Sequence, residues 1–324
     1  MDTVLITGGA GFIGSQVAQR LLTRGCRVVI LDSFDPFYDV RIKRRNIEML
    51  RAAAGPRGVE LVEGDLRDAA VCQHAVRGAT AVLHLAALAG VRPSIQDPVR
   101  TMDVNVRGTQ VLLEELRRLP SRVPLVFASS SSVYGGNERL PFRESDPVDR
   151  PVSPYAASKK AGEVQCAAFH HLWGHAVTCL RFFTVYGPGQ RPEMAIHQFS
   201  RRLMNGEALP FFGDGSTLRD YTYIDDIVNG VVAALERADG YHIYNLGGSQ
   251  TTSLTALVQM IERAFGKQAT LDRKPEQPGD VKQTYADVQL AERELGFRPT
   301  VSMEEGIARF ARWYLAERAA GNVA

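Results

Sequence analysis

Thr7-Gly8-Gly9-Ala10-Gly11-Phe12-Ile13-Gly14 stands near the start of the chain, directly after the apolar run Val4-Leu5-Ile6. The run reads as a short buried strand. Beyond the glycines, Ile13, Val17, Leu21 and Leu22 recur at helical spacing, so the stretch turns a strand into a helix. Gly8 permits the tight turn, Gly11 lets backbone approach a phosphate, and Gly14 lets helix and strand pack closely. A helix N-terminus at this point offers unpaired N–H groups and the positive end of a dipole to an anion. In this strand–turn–helix context the stretch reads as a dinucleotide pyrophosphate site, with Phe12 and Ile13 beside the ligand.

Composition leaves that reading room. A chain of 324 residues can bury a large core, enough for one full domain and a smaller one. A net charge of +2, with arginines scattered rather than blocked, gives no field for nucleic acid. No apolar run approaches membrane-spanning length, and the N-terminus enters a strand too soon for a signal peptide. Cys26, Cys72, Cys166 and Cys179 show neither metal-ligand nor redox spacing and sit in apolar segments. A reduced, cytoplasmic protein without a metal site is the expectation.

Strand-like and helical runs alternate through the first half. Strands are expected near 3–7, 27–31, 59–62, 81–85, 124–128 and 177–181, and helices near 12–24, 41–53, 68–76, 98–118 and 155–173. That alternation predicts an α/β fold, a Rossmann-type doubly wound parallel sheet with helices on both faces. Later helices fall near 225–236, 253–265 and 303–318, while Gly187 to Arg191, Leu209 to Gly215 and Lys274 to Gly279 look loop-like. Residues 1–184 are assigned to the dinucleotide domain, with 221–245 returning to it. Residues 185–220 and 246–324 are assigned to a smaller C-terminal α/β substrate lobe.

The second strand, Val28-Val29-Ile30-Leu31, ends in Asp32. An acid about 20 residues after the glycines hydrogen-bonds ribose hydroxyls and repels a 2′-phosphate, which favours NAD over NADP. An Asp capping a surface turn is the plainer alternative. Asp65-Leu66 after the third strand suits an adenine contact or a helix cap. Leu85-Ala86-Ala87 after His84 suits close cofactor approach or simple packing. Ser33, Lys43 and Ser129 complete this candidate cofactor set.

Tyr155 and Lys159 stand four apart at the start of a helical run, so both project from one face. A phenol with a pKa near 10 is a poor base at neutral pH. A neighbouring ammonium and a positive nicotinamide would lower that value. Ser130, at the end of the strand 124–128, can hydrogen-bond the same substrate oxygen. Together with NAD, these three groups suit removal of hydride from a carbinol. An exposed helix face is the competing reading of Tyr155 and Lys159 taken alone.

The sequence resembles the nucleotide-sugar epimerase branch of the extended short-chain dehydrogenase/reductase family. Thr7–Gly14, Ala86–Pro93, Ser129–Gly135, Ser153–Lys159, Arg181–Pro188 and Arg219–Asp226 carry the resemblance nearly end to end. It implies a catalytic triad of Ser130, Tyr155 and Lys159. It also implies a structural, cofactor-side Asn105, with Phe182 near nicotinamide and Thr184 at the substrate. Arg219 is implied at the nucleotide pyrophosphate and Asp280 near the nucleotide ribose, with UDP as the nucleotide.

Dehydratases of the family carry an Asp-Glu pair after the triad hydroxyl, and uronate decarboxylases a Glu. This chain has Ser131 and Ser132, which favours C4 epimerisation. Arg181-Phe182-Phe183-Thr184-Val185-Tyr186-Gly187-Pro188 with Arg191-Pro192-Glu193-Met194-Ala195 is similar to the UDP-glucuronate 4-epimerases. Ser131, Ser132, Thr184, Arg92 and Arg191 are the candidates for a uronate carboxylate. Strand-end serines also serve as turn caps, and both arginines also fit ordinary surface positions. Gln277 stands where hexose epimerases commonly carry Arg, and a small Thr284 leaves room for a C2 N-acetyl group. UDP-glucose/UDP-galactose or UDP-N-acetylhexosamine epimerisation is therefore the alternative substrate reading. A non-catalytic NAD-binding protein is the alternative of another class. The small-residue helix 155–173 and helix 98–118 resemble the family's four-helix dimer interface, with close packing on the sheet as the alternative.

Overall fold

The computed structural model describes residues 2–54, 58–276 and 281–323. Its first half runs β1 (Thr3–Thr7), α1 (Phe12–Thr23), β2 (Arg27–Asp32), α2 (Val40–Ala53), β3 (Val59–Glu63), α3 (Ala69–Val76) and β4 (Ala81–His84). Three helices follow, α4 (Val91–Gln96), α5 (Pro98–Met102) and α6 (Gly108–Arg117), then β5 (Leu125–Ser130), α7 (Pro154–Trp173) and β6 (Val177–Phe182). The remainder comprises β7 (Thr184–Tyr186), α8 (Ala195–Asn205), β8 (Leu209–Phe212), β9 (Leu218–Tyr223), α9 (Ile224–Glu236) and β10 (Tyr241–Leu246). It closes with β11 (Thr251–Ser253), α10 (Leu254–Phe265), β12 (Leu271–Lys274), α11 (Gln289–Leu295) and α12 (Met303–Ala319).

Among the described residues, β10-β6-β5-β4-β1-β2-β3 form one sheet in that order, every pair parallel. Its strands are apolar on both faces because both are covered. Val4, Ile6, Val28 and Ile30 feed the core cluster on one side, while Leu5, Val29 and Leu31 feed the other. On the first side α1 packs against α2 and α9; on the second α6 packs against α3 and α7. The chain winds from β1 toward β3 and then reverses through β4 toward β6. That reversal opens a crevice beyond the carboxyl ends of β1 and β4, where such sheets bind ligands.

Two expectations need correction. The single helix over 98–118 is α5 and α6 joined through a π-helical turn at Asp103–Arg107. Gln165 Nε2 donates to the Val106 carbonyl inside that turn at 3.0 Å, so tertiary contact satisfies the widened backbone. The stretch from Leu209 to Gly215 is not all loop: β8 pairs in parallel with β12. Strands β11, β9 and β7 form a further small sheet beside the main one. Among the described residues, no helix is long and apolar enough to cross a membrane.

Candidate active site

A cavity of about 440 Å³ lies over the crevice. One end is built by the glycine turn. Gly8 has φ +70°, and its N–H donates to the Leu31 carbonyl at 2.8 Å, tying the turn to β2. A Cβ on Gly14 would stand 2.3 Å from the Gly8 carbonyl oxygen, so only glycine lets α1 begin this close. The first turn of α1 has no side-chain cap and no acid. Gly11, Phe12, Ile13 and Gly14 all line the cavity, so the free end of the helix faces it.

Asp32 stands beside the turn, and its carboxylate accepts from the Ala10 and Phe34 N–H groups at 3.1 and 2.9 Å. Ser33, Lys43, Asp65 and Leu66 line the same end. The Lys43 ammonium donates to the Asp35 carbonyl at 2.9 Å and lies 4.9 Å over the Tyr38 ring. Burial lowers its pKa. Tyr38 escaped the sequence reading, although its hydroxyl lies 3.9 Å from where a Gly11 Cβ would be. No periodicity or motif in the sequence singles it out. An uncapped helix end, a glycine cradle and an acid at the second strand fit a dinucleotide.

The wall beyond β4 is held by a chain of buried hydrogen bonds. The Thr109 hydroxyl donates to the Asn105 carbonyl at 2.6 Å, so it accepts from His84 Nε2 at 2.8 Å. His84 Nδ1 then accepts from the Thr7 hydroxyl at 2.7 Å, and Thr7 Oγ1 accepts from the Ala86 N–H. Burial, with the Lys159 charge nearby, pushes the His84 pKa down to about 3, so the ring is neutral. Asn105 closes the loop by bonding both the N–H and the carbonyl of Leu88. Leu85, Ala86 and Ala87 line the cavity; Asn105 stands behind them and does not.

Strands β5 and β6 and helix α7 form the other end. Ser153 caps α7 through the Ala156 N–H and Pro154 opens it. Tyr155 and Lys159 therefore share the face turned to β5. The Lys159 ammonium donates to the Ala128 carbonyl at 2.7 Å and lies 5.9 Å from the centre of the Tyr155 ring. Burial pushes its pKa down to about 8. Burial raises the Tyr155 phenol above its ordinary value, while a hydrogen bond with Ser130 and the Arg191 charge oppose that rise. Ser130 and Ser132 are linked, Oγ to Oγ, at 3.1 Å.

Ser129, Ser130, Ser131, Ser132, Tyr155, Lys159, Phe182, Thr184 and Arg191 all line this end. Arg191 pairs with Glu193 at 3.1 Å and lies over Phe37. The geometry leaves two expected substrate residues off the lining. Arg92 is on the exposed side of α4 with its guanidinium 5.1 Å over the Phe212 ring. Arg219 turns back on its own strand and donates to the Leu218 carbonyl at 2.9 Å. Asp280 and Gln277 lie outside the described residues. Val91 and Met194 also line the cavity; both lie within stretches that carry the resemblance, although the sequence singles out neither as a site residue.

Residues 4–247 match the NAD dependent epimerase/dehydratase family. UDP-glucuronate 4-epimerase 3 of Arabidopsis thaliana is 41% identical over 97% of this chain and 76% of that protein. The probable UDP-glucuronate 4-epimerase of Rhizobium meliloti is 39% identical over 96% of both chains. The crystal structure of UDP-glucuronic acid 4-epimerase from Bacillus cereus, in complex with UDP-glucuronic acid and NAD, superposes with a TM-score of 0.91. It is 34% identical and covers 97% of this chain and 99% of that one. With a family match over most of its length and relatives about 40% identical across nearly all of it, this chain belongs to the NAD dependent epimerase/dehydratase family.

Proposed function

We propose that this protein inverts C4 of UDP-glucuronate to give UDP-galacturonate, through a transient 4-keto sugar. One observation carries the choice of reaction. The sugar end of the cavity offers Ser130, Ser131, Ser132, Thr184 and Tyr155 hydroxyls and the Arg191 guanidinium, whereas the lining carboxylates Asp32, Asp35 and Asp65 stand at the glycine-turn end. Eliminating water needs a proton-shuttling acid at the sugar, and none is described there. A cluster of hydroxyls and one guanidinium suits a uronate carboxylate.

Bound NAD supplies the hydride acceptor and donor and adds positive charge beside the phenol. Gly8, Gly11, Gly14 and Asp32 would hold its adenosine diphosphate half, and Phe182, Leu85 and Ala86 its other half. Tyr155 takes the C4 hydroxyl proton and later returns it, and Ser130 orients that oxygen. Lys159 stabilises the phenolate by charge. Arg219 and Asp280 are assigned to the nucleotide on the C-terminal side. Residues 1–184, with 221–245, are assigned to the dinucleotide domain, and 185–220 with 246–324 to the substrate lobe. Four free buried thiols support a reducing, cytoplasmic setting.

A homodimer is part of this reading. Ile95, Val99 and Met102 on α4 and α5, with Val164 and Leu172 on α7, are exposed; Val99 reaches 79%. Such apolar positions on adjoining helices suit a paired surface, and light scattering would report a dimer or a monomer. Incubating the purified protein, without added NAD, with UDP-glucuronate, UDP-glucose and UDP-N-acetylglucosamine tests the function. UDP-galacturonate from the first alone is expected. Turnover of only the neutral sugars would replace the uronate by a hexose substrate.

A further inference from the structure

Asn245 lies near the end of β10, fully buried, and the register places Asn245, Arg181 and Ser129 in one row across β10, β6 and β5. Its side chain spends every polar group on a different segment. Nδ2 donates to the Phe142 carbonyl at 2.9 Å and to the Asp287 carbonyl at 3.1 Å. Oδ1 accepts from the Tyr134 hydroxyl at 2.7 Å. The Asn245 backbone N–H donates to Glu144 Oε1 at 2.8 Å.

The partners lead in two directions, to the cavity lining and to the C-terminal lobe. Tyr134 ends the short 3₁₀ turn Ser131–Tyr134, which carries two of the sugar-end serines. Arg181 donates to the Tyr134 hydroxyl and pairs with Glu163, which also accepts from Ser129. The neighbouring Leu246 carbonyl accepts from the N–H of Phe183, a lining residue. On the other side, Phe142 bridges to Ala286: its N–H donates to the Tyr285 carbonyl, and its carbonyl accepts from the Asp287 N–H. Asp220 then accepts from the Ala286 and Gly248 N–H groups, next to Arg219. The serine turn and the 284–287 strip of the C-terminal lobe meet at one amide.

We infer that Asn245 is a positioning residue for the sugar nucleotide: it fixes the distance between the serine turn and the C-terminal strip. This rests on the reading above, in which the sugar lies at the serine turn and the nucleotide is assigned to Arg219 and Asp280 on the C-terminal side. An amide is required, since an isosteric carboxylate would lose both donors and face two carbonyls. The dinucleotide end, built on β1 to β3, does not depend on it.

The test compares wild type with Asn245→Asp by titrating UDP calorimetrically and measuring bound NAD. Expected in the variant is UDP affinity at least about 10-fold weaker, or about 1.4 kcal/mol, with NAD content unchanged. KM for the sugar nucleotide should rise while kcat stays within about threefold. A folded variant with wild-type UDP affinity, or one losing NAD and UDP equally, would overturn the inference. Should the variant not fold, amide exchange in the wild type decides: UDP is expected to slow exchange at Phe142, Ala286 and Asp287. No slowing there, in a protein that does bind UDP, would sink the coupling. A wild-type protein without UDP affinity would sink the functional reading and the inference with it.

Discussion

The Lys159 ammonium donates its hydrogen bond to the carbonyl of Ala128, two residues before Ser130 on the same strand. A helix residue thus reads the position of the strand directly. Because Tyr155 lies one turn earlier on α7, that bond sets phenol, ammonium and serine hydroxyl in a single frame. The phenol is raised by burial, so a charge is needed to bring it into working range.

That charge has a limit set by pH. With a pKa near 8, Lys159 is cationic below that pH and neutral above it. Loss of the cation removes stabilisation of the phenolate, so kcat is expected to fall as pH rises through about 8. A pH–rate profile checks it; a kcat flat from pH 7 to 10 would remove Lys159 from this role.

Tyr155→Phe keeps the ring and deletes the proton carrier. Turnover is expected to drop about 10³-fold, in the middle of the range for general acid–base groups. Bound NAD, measured after denaturing the protein, should be retained. Loss of NAD together with activity would instead make the hydroxyl part of cofactor binding.

Gly14→Ala would push a methyl into the Gly8 carbonyl, a backbone atom that cannot swing aside. Overpacking of this kind costs about 1–3 kcal/mol. The turn should also shift away from the ligand, so the variant is expected to purify with little NAD and to unfold at lower urea. Full NAD occupancy would show that the cradle tolerates the shift.

A 4-keto uronate is a β-keto acid, and it loses CO2 when the breaking bond stands perpendicular to the carbonyl plane. Ser132 and Thr184 line the sugar end, where they can hold the carboxylate in the unreactive rotamer. Ser132→Ala and Thr184→Val are expected to raise UDP-pentose product relative to UDP-galacturonate, measured by chromatography and proton NMR. An unchanged ratio in both variants would end this account.

Local sequence determined the glycine turn, the parallel sheet and the pairing of Tyr155 with Lys159. Each depends on residues a few positions apart, where period 2, period 3.6 and the needs of glycine are written directly in the chain. Nothing local marks Tyr38 as a lining residue, turns Arg92 onto Phe212, or turns Arg219 back on its own strand. Asn105 is implied by the resemblance alone, and only the packed structure shows it bracing Leu88 from behind the wall. Asn245 lies 103 residues from Phe142 and 42 from Asp287, and no periodicity relates them. Buried polar groups must find partners wherever the fold brings them, and that pairing is decided by tertiary packing across strands distant in sequence.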